Sequence, residues 1–227
     1  MPVTYQEMFW GLLEYKPQWS LTWKAWLILI GFLSALIVLV INKIPEFLAI
    51  VSPIEADALL IEGWAGDPVI EGGVQEFFQG NYKFIITTGF PLYRGSFLLP
   101  YKSYAELAKV TAIKLGVEPD KVEAIPTSVV DRDRTAAAAL AVKDWLLKSD
   151  AKIKSLNIYS FDVHTRRSYL IYKKVLGDDF LVGAIAYLNK DYDHQRWWAS
   201  SMGFRYIIEE SLAYIYARLI WYFTFRD

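Results

Sequence analysis

The chain has 227 residues, which beyond an N-terminal apolar stretch leaves room for one globular domain with a sizeable core. Its formal net charge of −1 points to neither nucleic acid nor an acidic partner. With no cysteine there are no disulfides, no thiolate chemistry and no cysteine-ligated metal, and two histidines, His164 and His194, exclude a histidine-rich metal centre.

Residues 1–24 form a short N-terminal segment. Ala25–Asn42 then runs without a charge, and a helix of that length spans about 27 Å, close to the hydrocarbon thickness of a bilayer. Trp19, Trp23 and Trp26 stand at its start, where indoles favour the headgroup layer, and Lys24 and Lys43 bracket it. A membrane helix is expected over 25–44. The run is too long for the apolar part of a cleaved signal, and no small-residue cleavage site follows. Lys16 and Lys24 precede it, whereas after Lys43 the next basic residue is Lys83, behind seven acids. This bias predicts a single-pass protein with a cytoplasmic N-terminus and an extracytoplasmic main domain. The nine tryptophans and fifteen tyrosines fit a membrane interface or a core equally.

Residues 45–55, starting at Pro45, read as a linker. Ala56–Glu62 is a buried strand stopped by Gly63, and Pro68–Gln79 a helix with Pro68 in its first turn. Tyr82–Thr88 is a strand ending at Gly89. Ser103–Leu115 is a helix opened by a Ser103/Glu106 capping box and closed by Gly116. Val122–Ile125 is a strand, Arg134–Leu147 an alanine-rich helix, Leu156–Phe161 a strand, His164–Leu176 a helix and Phe180–Tyr187 a last strand. Gly203 precedes a final amphipathic helix over 203–227, whose apolar stripe runs Phe204, Ile207, Ile208, Leu212, Ile215, Leu219 and Phe223. Its charges, Arg205, Glu209, Glu210 and Arg218, argue against a second membrane span; packing on the sheet and lying along the membrane both stay open. The alternation predicts an α/β domain over 56–202, a mostly parallel sheet with helices on both faces. Ligands of such sheets bind at the carboxyl ends of the strands.

Three strand-end segments carry chemistry. Val130-Asp131-Arg132-Asp133-Arg134-Thr135 opens the alanine-rich helix, and a helix N-terminus beside two guanidiniums suits a phosphate or carboxylate. The alternative is capping by Asp131 or Asp133, with the arginines paired to these acids. In Asp162-Val163-His164-Thr165-Arg166-Arg167, His164 is a candidate general acid/base or phosphate ligand. Arg166 and Arg167 point about 100° apart, so one of them faces the cleft. Glu62-Gly63-Trp64-Ala65-Gly66-Asp67 lets backbone approach a ligand closely but lacks the glycine spacing of a dinucleotide site. Asp57 and Glu62 offer carboxylates to a metal or, equally, a solvated or capping role. Gly89, Glu106 and Arg94 complete the candidate ligand contacts. There is no nucleophile elbow, phosphate loop or zinc-protease helix motif.

Taken together and in order, the strand at Ala56-Asp57, Thr88-Gly89, Ser103-Tyr104-Ala105-Glu106, Gly116-Val117, Arg134-Thr135 and Ser160–Arg167 with His164 and Arg167 resemble the YdcF-like domain, also called the SanA/ElyC family, over Ala56–Leu188. The resemblance implies a Rossmann-like fold and, in the SanA and ElyC branches, one N-terminal membrane helix with an envelope-facing domain linked to envelope integrity. A YdcF member is associated with binding S-adenosylmethionine. This sequence departs from the pattern in its Gly63-Trp64-Ala65-Gly66 turn and in Ala138 and Ala139, where members often carry an Asn, so no cofactor is carried over. Three functions are compatible with these residues: an envelope enzyme acting on a phosphate-bearing substrate such as a lipid-linked sugar; a non-catalytic module sensing an anionic or nucleotide-like metabolite; and a membrane-tethered assembly factor docking through Trp197, Trp198 and the final helix.

Overall fold

The computed structural model describes residues 21–93, 99–130 and 132–219. The chain divides into two units, Met1–Ile41 and Asn42–Asp227. The described part of the first unit is mostly helix α1, which spans Trp23–Leu48. Its most apolar stretch has no residue buried in the protein, so side chains such as Ile28, Phe32 and Ile37 have no protein cover. Twenty-six residues reach about 39 Å, and this one helix is long and apolar enough to cross a membrane.

The second unit is an α/β domain. Strands β1 (Ala58–Glu62), β2 (Phe84–Gly89), β3 (Val122–Pro126), β4 (Ser155–Phe161) and β5 (Leu181–Tyr187) form one sheet in the order β3-β2-β1-β4-β5. Every pairing is parallel. Helices α2 (Asp67–Gln79), α3 (Tyr104–Lys114), α4 (Arg134–Lys148) and α5 (Thr165–Leu176) connect successive strands, and α6 (Ser201–Leu219) follows β5. β1 is fully buried because strands flank it on both edges and helices cover both faces. Leu59 and Ile61 point into the layer filled by Val69, Ile70, Val74 and Ala108 from α2 and α3. Ala58 and Leu60 point into the layer filled by Ala139, Val142, Ile171 and Tyr172 from α4 and α5. The period-two alternation of the strand thus splits its residues between two cores. The chain builds outward from β1 through β2 to β3, then returns to the other side of β1 with β4. The strand ends flanking that reversal open a crevice, the usual ligand position in such sheets.

Local chemistry explains most element starts. Ser103 Oγ accepts from Glu106 N at 3.1 Å while Glu106 Oε2 accepts from Ser103 N at 3.1 Å, the reciprocal box that opens α3. Gly177, with φ of +71°, closes α5.

Three expectations change. Helix α1 runs past residue 44 to Leu48, and Pro45, Leu48 and Ala49 are buried in the domain. The rest of the 45–55 stretch is pinned rather than loose. Ser52 and Ala184 exchange backbone hydrogen bonds at 2.8 and 3.1 Å, and the buried Asn157 side chain accepts from Ile54 N and donates to Ile54 O. Gly183 permits this approach, because a Cβ there would collide with the Asn157 side chain and the Ile54 backbone. Second, α6 packs through Gly203, Ile207, Tyr214 and Ala217, while Phe204, Ile208, Leu212, Ile215 and Leu219 of the expected apolar stripe are exposed; Phe223 lies outside the described residues. Third, Trp197 is 4% exposed and stacks on Phe204, so of the tryptophan pair only Trp198 reaches the surface.

A chain beginning at Asn42 is expected to fold without detergent, since it keeps Leu48, Ala49 and the Ser52 bridge. One beginning at Ile54 should lose about 3 kcal/mol, from burial of Leu48 at roughly 1.5–3 kcal/mol and the lost bridge. Urea titrations of the two chains check this; equal midpoints would show that 42–53 does not hold the domain.

Candidate functional site

The carboxyl ends of β1, β2, β3 and β4 surround a cavity of about 390 Å³. β1 delivers Glu62, followed by Trp64; β2 delivers Thr88 and Gly89, followed by Phe90; Thr127 follows β3. The start of α4 contributes Arg132, Asp133, Arg134 and Thr135, with Ala138 one turn on. The tight turn after β4 contributes His164, α5 contributes Arg167, and α6 contributes Glu210.

His164 is 7% exposed and is held from two sides. Its Nδ1 lies 3.1 Å from Glu210 Oε1. Arg167 donates to Glu210 through Nε and Nη2, both at 2.9 Å, and its Nη2 also approaches His164 Nδ1 at 2.9 Å. Burial of Glu210 by itself raises its pKa, but the hydrogen bonds from His164 and Arg167 and their charges outweigh that and pull it from an ordinary 4.5 down to about 2. Nδ1 thus faces both an acceptor, Glu210 Oε1, and a donor, Arg167 Nη2, and each tautomer of the neutral ring keeps one of these two contacts. His164 lines the cavity, and its buried Nε2 has no hydrogen-bond partner among the described residues. The Trp64 ring stands edge-on to the imidazole at 4.9 Å.

Glu62 is 1% exposed and accepts hydrogen bonds from the Ser160 and Ser168 hydroxyls. Its Oε2 lies 3.8 Å from His164 Nε2. Thr127 Oγ1 is a second buried polar atom without a partner. At the mouth, Arg132 and Arg134 flank Asp133, and all three are exposed. Among the described residues none of them enters an ion pair, and Arg134 lies 4.8 Å over the Phe90 ring. Asp133 adopts a left-handed backbone, φ of +53°, and its side chain does not cap α4. Among the described residues no side chain caps the first N–H groups of α4, which suit an anion.

The structure brings together Glu62, Gly89, Arg132, Arg134, Thr135, His164 and Arg167 of the residues singled out in the sequence. Four others go elsewhere. Gly63 makes room for packing: a Cβ there would meet Ala108 Cβ and Tyr104 O at 2.7 Å. The Glu106 carboxylate is occupied by the N–H groups of Lys102 and Ser103 in the α3 cap. Asp162 faces away from the cavity, taking Tyr192 OH at 2.5 Å and His194 Nε2 at 2.7 Å, and its φ of +49° makes the bend that presents His164. Arg166 turns to Phe47, donating to its carbonyl and lying 3.9 Å over its ring. Asp57 and Glu62 cannot share a metal, since they stand at opposite ends of β1, about 16 Å apart. Asp57 is instead satisfied by Lys83, Lys154 N and Ser155, which bring its pKa down to about 2. Arg94 and Asp131 lie outside the described residues.

Sequence reading missed Glu210; Phe90 and Thr127 lie in the strand-end segments 88–96 and 126–134 to which the parallel-sheet rule points, but were not singled out. Glu210 carried one usable signal: it sits three residues after the buried Ile207, on the face α6 turns inward. No protein-family model matches the chain, and no curated protein matches it.

Glu210→Gln leaves Arg167 and His164 without their shared carboxylate. A stability loss of about 2–3 kcal/mol near neutral pH is expected, as for hydrogen bonds to a charged group. Because the folded-state pKa of Glu210 is depressed, its contribution is present above pH 4.5 and lost as pH falls toward 2. Unfolding measured across that window should show wild type and variant converging on the acid side; a constant gap would refute the coupling.

Proposed function

We propose that this is a membrane-anchored cell-envelope protein of the YdcF/SanA/ElyC kind, whose domain lies outside the cytoplasm and binds a phosphate-bearing anion in this cavity. His164 is its proton-transfer residue. The observation that carries this reading is the convergence on one cavity of two guanidiniums without an acid partner among the described residues, an uncapped helix N-terminus, and a buried imidazole nitrogen without a partner. The first two offer forked donors and a partial positive charge to phosphate oxygens. The third supplies a nitrogen able to take up or give a proton. The arginines and the helix N-terminus lie at the start of α4, and the imidazole comes from the turn after β4, about 30 residues on, so folding brings a cationic mouth and a buried imidazole to one cavity. The resemblance over Ala56–Leu188 and the helix α1 support the envelope assignment, and a lipid-linked phosphate is a substrate that a tethered domain can reach.

Inorganic phosphate titrated into the full chain, followed by calorimetry, tests the anion site. Arg134→Ala should weaken its binding about ten- to a hundredfold, the equivalent of a charge-assisted hydrogen bond of about 1.5–3 kcal/mol. Unchanged affinity would exclude the α4 mouth as the anion contact. The orientation has its own test: a compartment-specific reporter fused after Asp227 should be active only outside the cytoplasm. Cytoplasmic activity would overturn the envelope assignment and leave the anion site standing.

A further inference from the structure

Resting on the reading that the cavity takes a phosphate-bearing ligand, we infer that the reaction is hydrolysis, with its nucleophile a water held between His164 Nε2 and Glu62 Oε2. These atoms are 3.8 Å apart, too far for a hydrogen bond to each other. An oxygen placed about 2.8 Å from each spans that gap with both bonds near normal length. Both atoms are acceptors. The mechanism uses the tautomer in which His164 Nδ1 donates to Glu210 Oε1 at 3.1 Å, and in it Nε2 offers a lone pair. Glu62 Oε2 accepts a hydrogen bond from Ser160, and the Ser168 hydroxyl lies 3.0 Å from both carboxylate oxygens; with Ser168 on Oε1, one of the two acceptor positions of Oε2 is left for the water. Both residues are more than nine-tenths buried, and the protein offers Nε2 no donor. A water donating one proton to each satisfies both and turns its own lone pairs toward the cavity.

The same pair argues against a covalent phosphohistidine. A phosphoryl group on Nε2 would set its oxygens against the buried Glu62 carboxylate, and like charges at such range in a poorly solvated site repel strongly. Water attack avoids this. The water oxygen bonds to phosphorus, and one water proton passes to Nε2. The bond from phosphorus to the leaving oxygen breaks, and that oxygen takes the proton from the imidazolium or from solvent. One phosphate ester and one water give one alcohol and one inorganic phosphate. Glu62 on one nitrogen and Glu210 on the other stabilise the imidazolium that forms between them. Glu62 is thereby a catalytic residue, and Glu210 and Arg167 are positioning residues for His164.

A phosphatase of this kind also exchanges the oxygens of its product with water, which makes inorganic phosphate itself the probe. The full chain in detergent micelles is incubated with ¹⁸O-labelled phosphate, and label loss is followed by ³¹P NMR alongside phosphate affinity. Wild type should bind phosphate and exchange its oxygens. Glu62→Gln and His164→Gln should each slow exchange about a hundredfold or more while phosphate affinity changes less than threefold and the thermal unfolding transition stays cooperative. Phosphate that binds without exchanging overturns hydrolysis and leaves the anion site intact. Phosphate that does not bind overturns the reading beneath it. Wild-type exchange in Glu62→Gln removes Glu62 from the step. Acid-labile label trapped on His164 of the wild type, a measurement that needs no variant, makes Nε2 the nucleophile and sinks the water mechanism.

Discussion

Glu210 receives two hydrogen bonds from Arg167 at 2.9 Å and stands 3.1 Å from His164 Nδ1, so one carboxylate from the last helix fixes two side chains carried by α5 and the turn before it. Three consequences follow from that geometry. The imidazole is held in place through Nδ1, the guanidinium of Arg167 is paired with a carboxylate, and α6 is attached to the sheet domain by a charged contact as well as by Ile207 and Ala217. Without the carboxylate, His164 Nδ1 and Arg167 would compete for water in a site that offers little of it.

A second clamp acts on the same two helices at the base of α1. Arg166 lies over the Phe47 ring and donates to the Phe47 carbonyl, while the edge of that ring meets Tyr214 at 5.5 Å. Consecutive arginines on α5 therefore do opposite jobs, since neighbouring positions on a helix point about 100° apart. Arg167 turns to Glu210, and Arg166 turns to the residue just before the chain enters the domain. Tyr214 follows Glu210 by one helical turn, so α5 and α6 are held together at two levels, one at the site and one at the root of α1.

Behind the site, Asp162 performs a purely supporting task. Tyr192 and His194 hold its buried carboxylate, and its left-handed backbone, unfavourable for a residue with a side chain, bends the chain after β4. The bend aims His164 into the crevice instead of along the strand. The sheet order provides that crevice, because the chain reverses direction of growth at β1 and leaves the ends of β1 and β4 uncovered by a connection.

The alternation of buried apolar runs with helical stretches, the capping box at Ser103 and Glu106, and the stop at Gly177 are local, so the sequence determined the number, order and type of elements and hence a parallel α/β sheet. The long uncharged run determined the helix that can cross a membrane. The strand-end positions of Arg134 and His164 were legible for the same reason: which residues follow a strand is a matter of chain order. What each side chain does there is not, because a partner far away in sequence decides it. Glu106, Asp162 and Arg166 read as ligand contacts yet are occupied by a helix cap, by Tyr192 and His194, and by Phe47. Glu210 read only as a charge that argues against a second membrane span, yet it lines the cavity. Residues 45–55 read as a linker between the apolar run and the first strand, bounded by Pro45 and holding Pro53, while their contacts with Asn157 and Ala184 are visible only once the strands that carry those residues are assembled. Local propensity and order are written along the chain; pairing across 46 residues, as between His164 and Glu210, exists only after folding brings the two together.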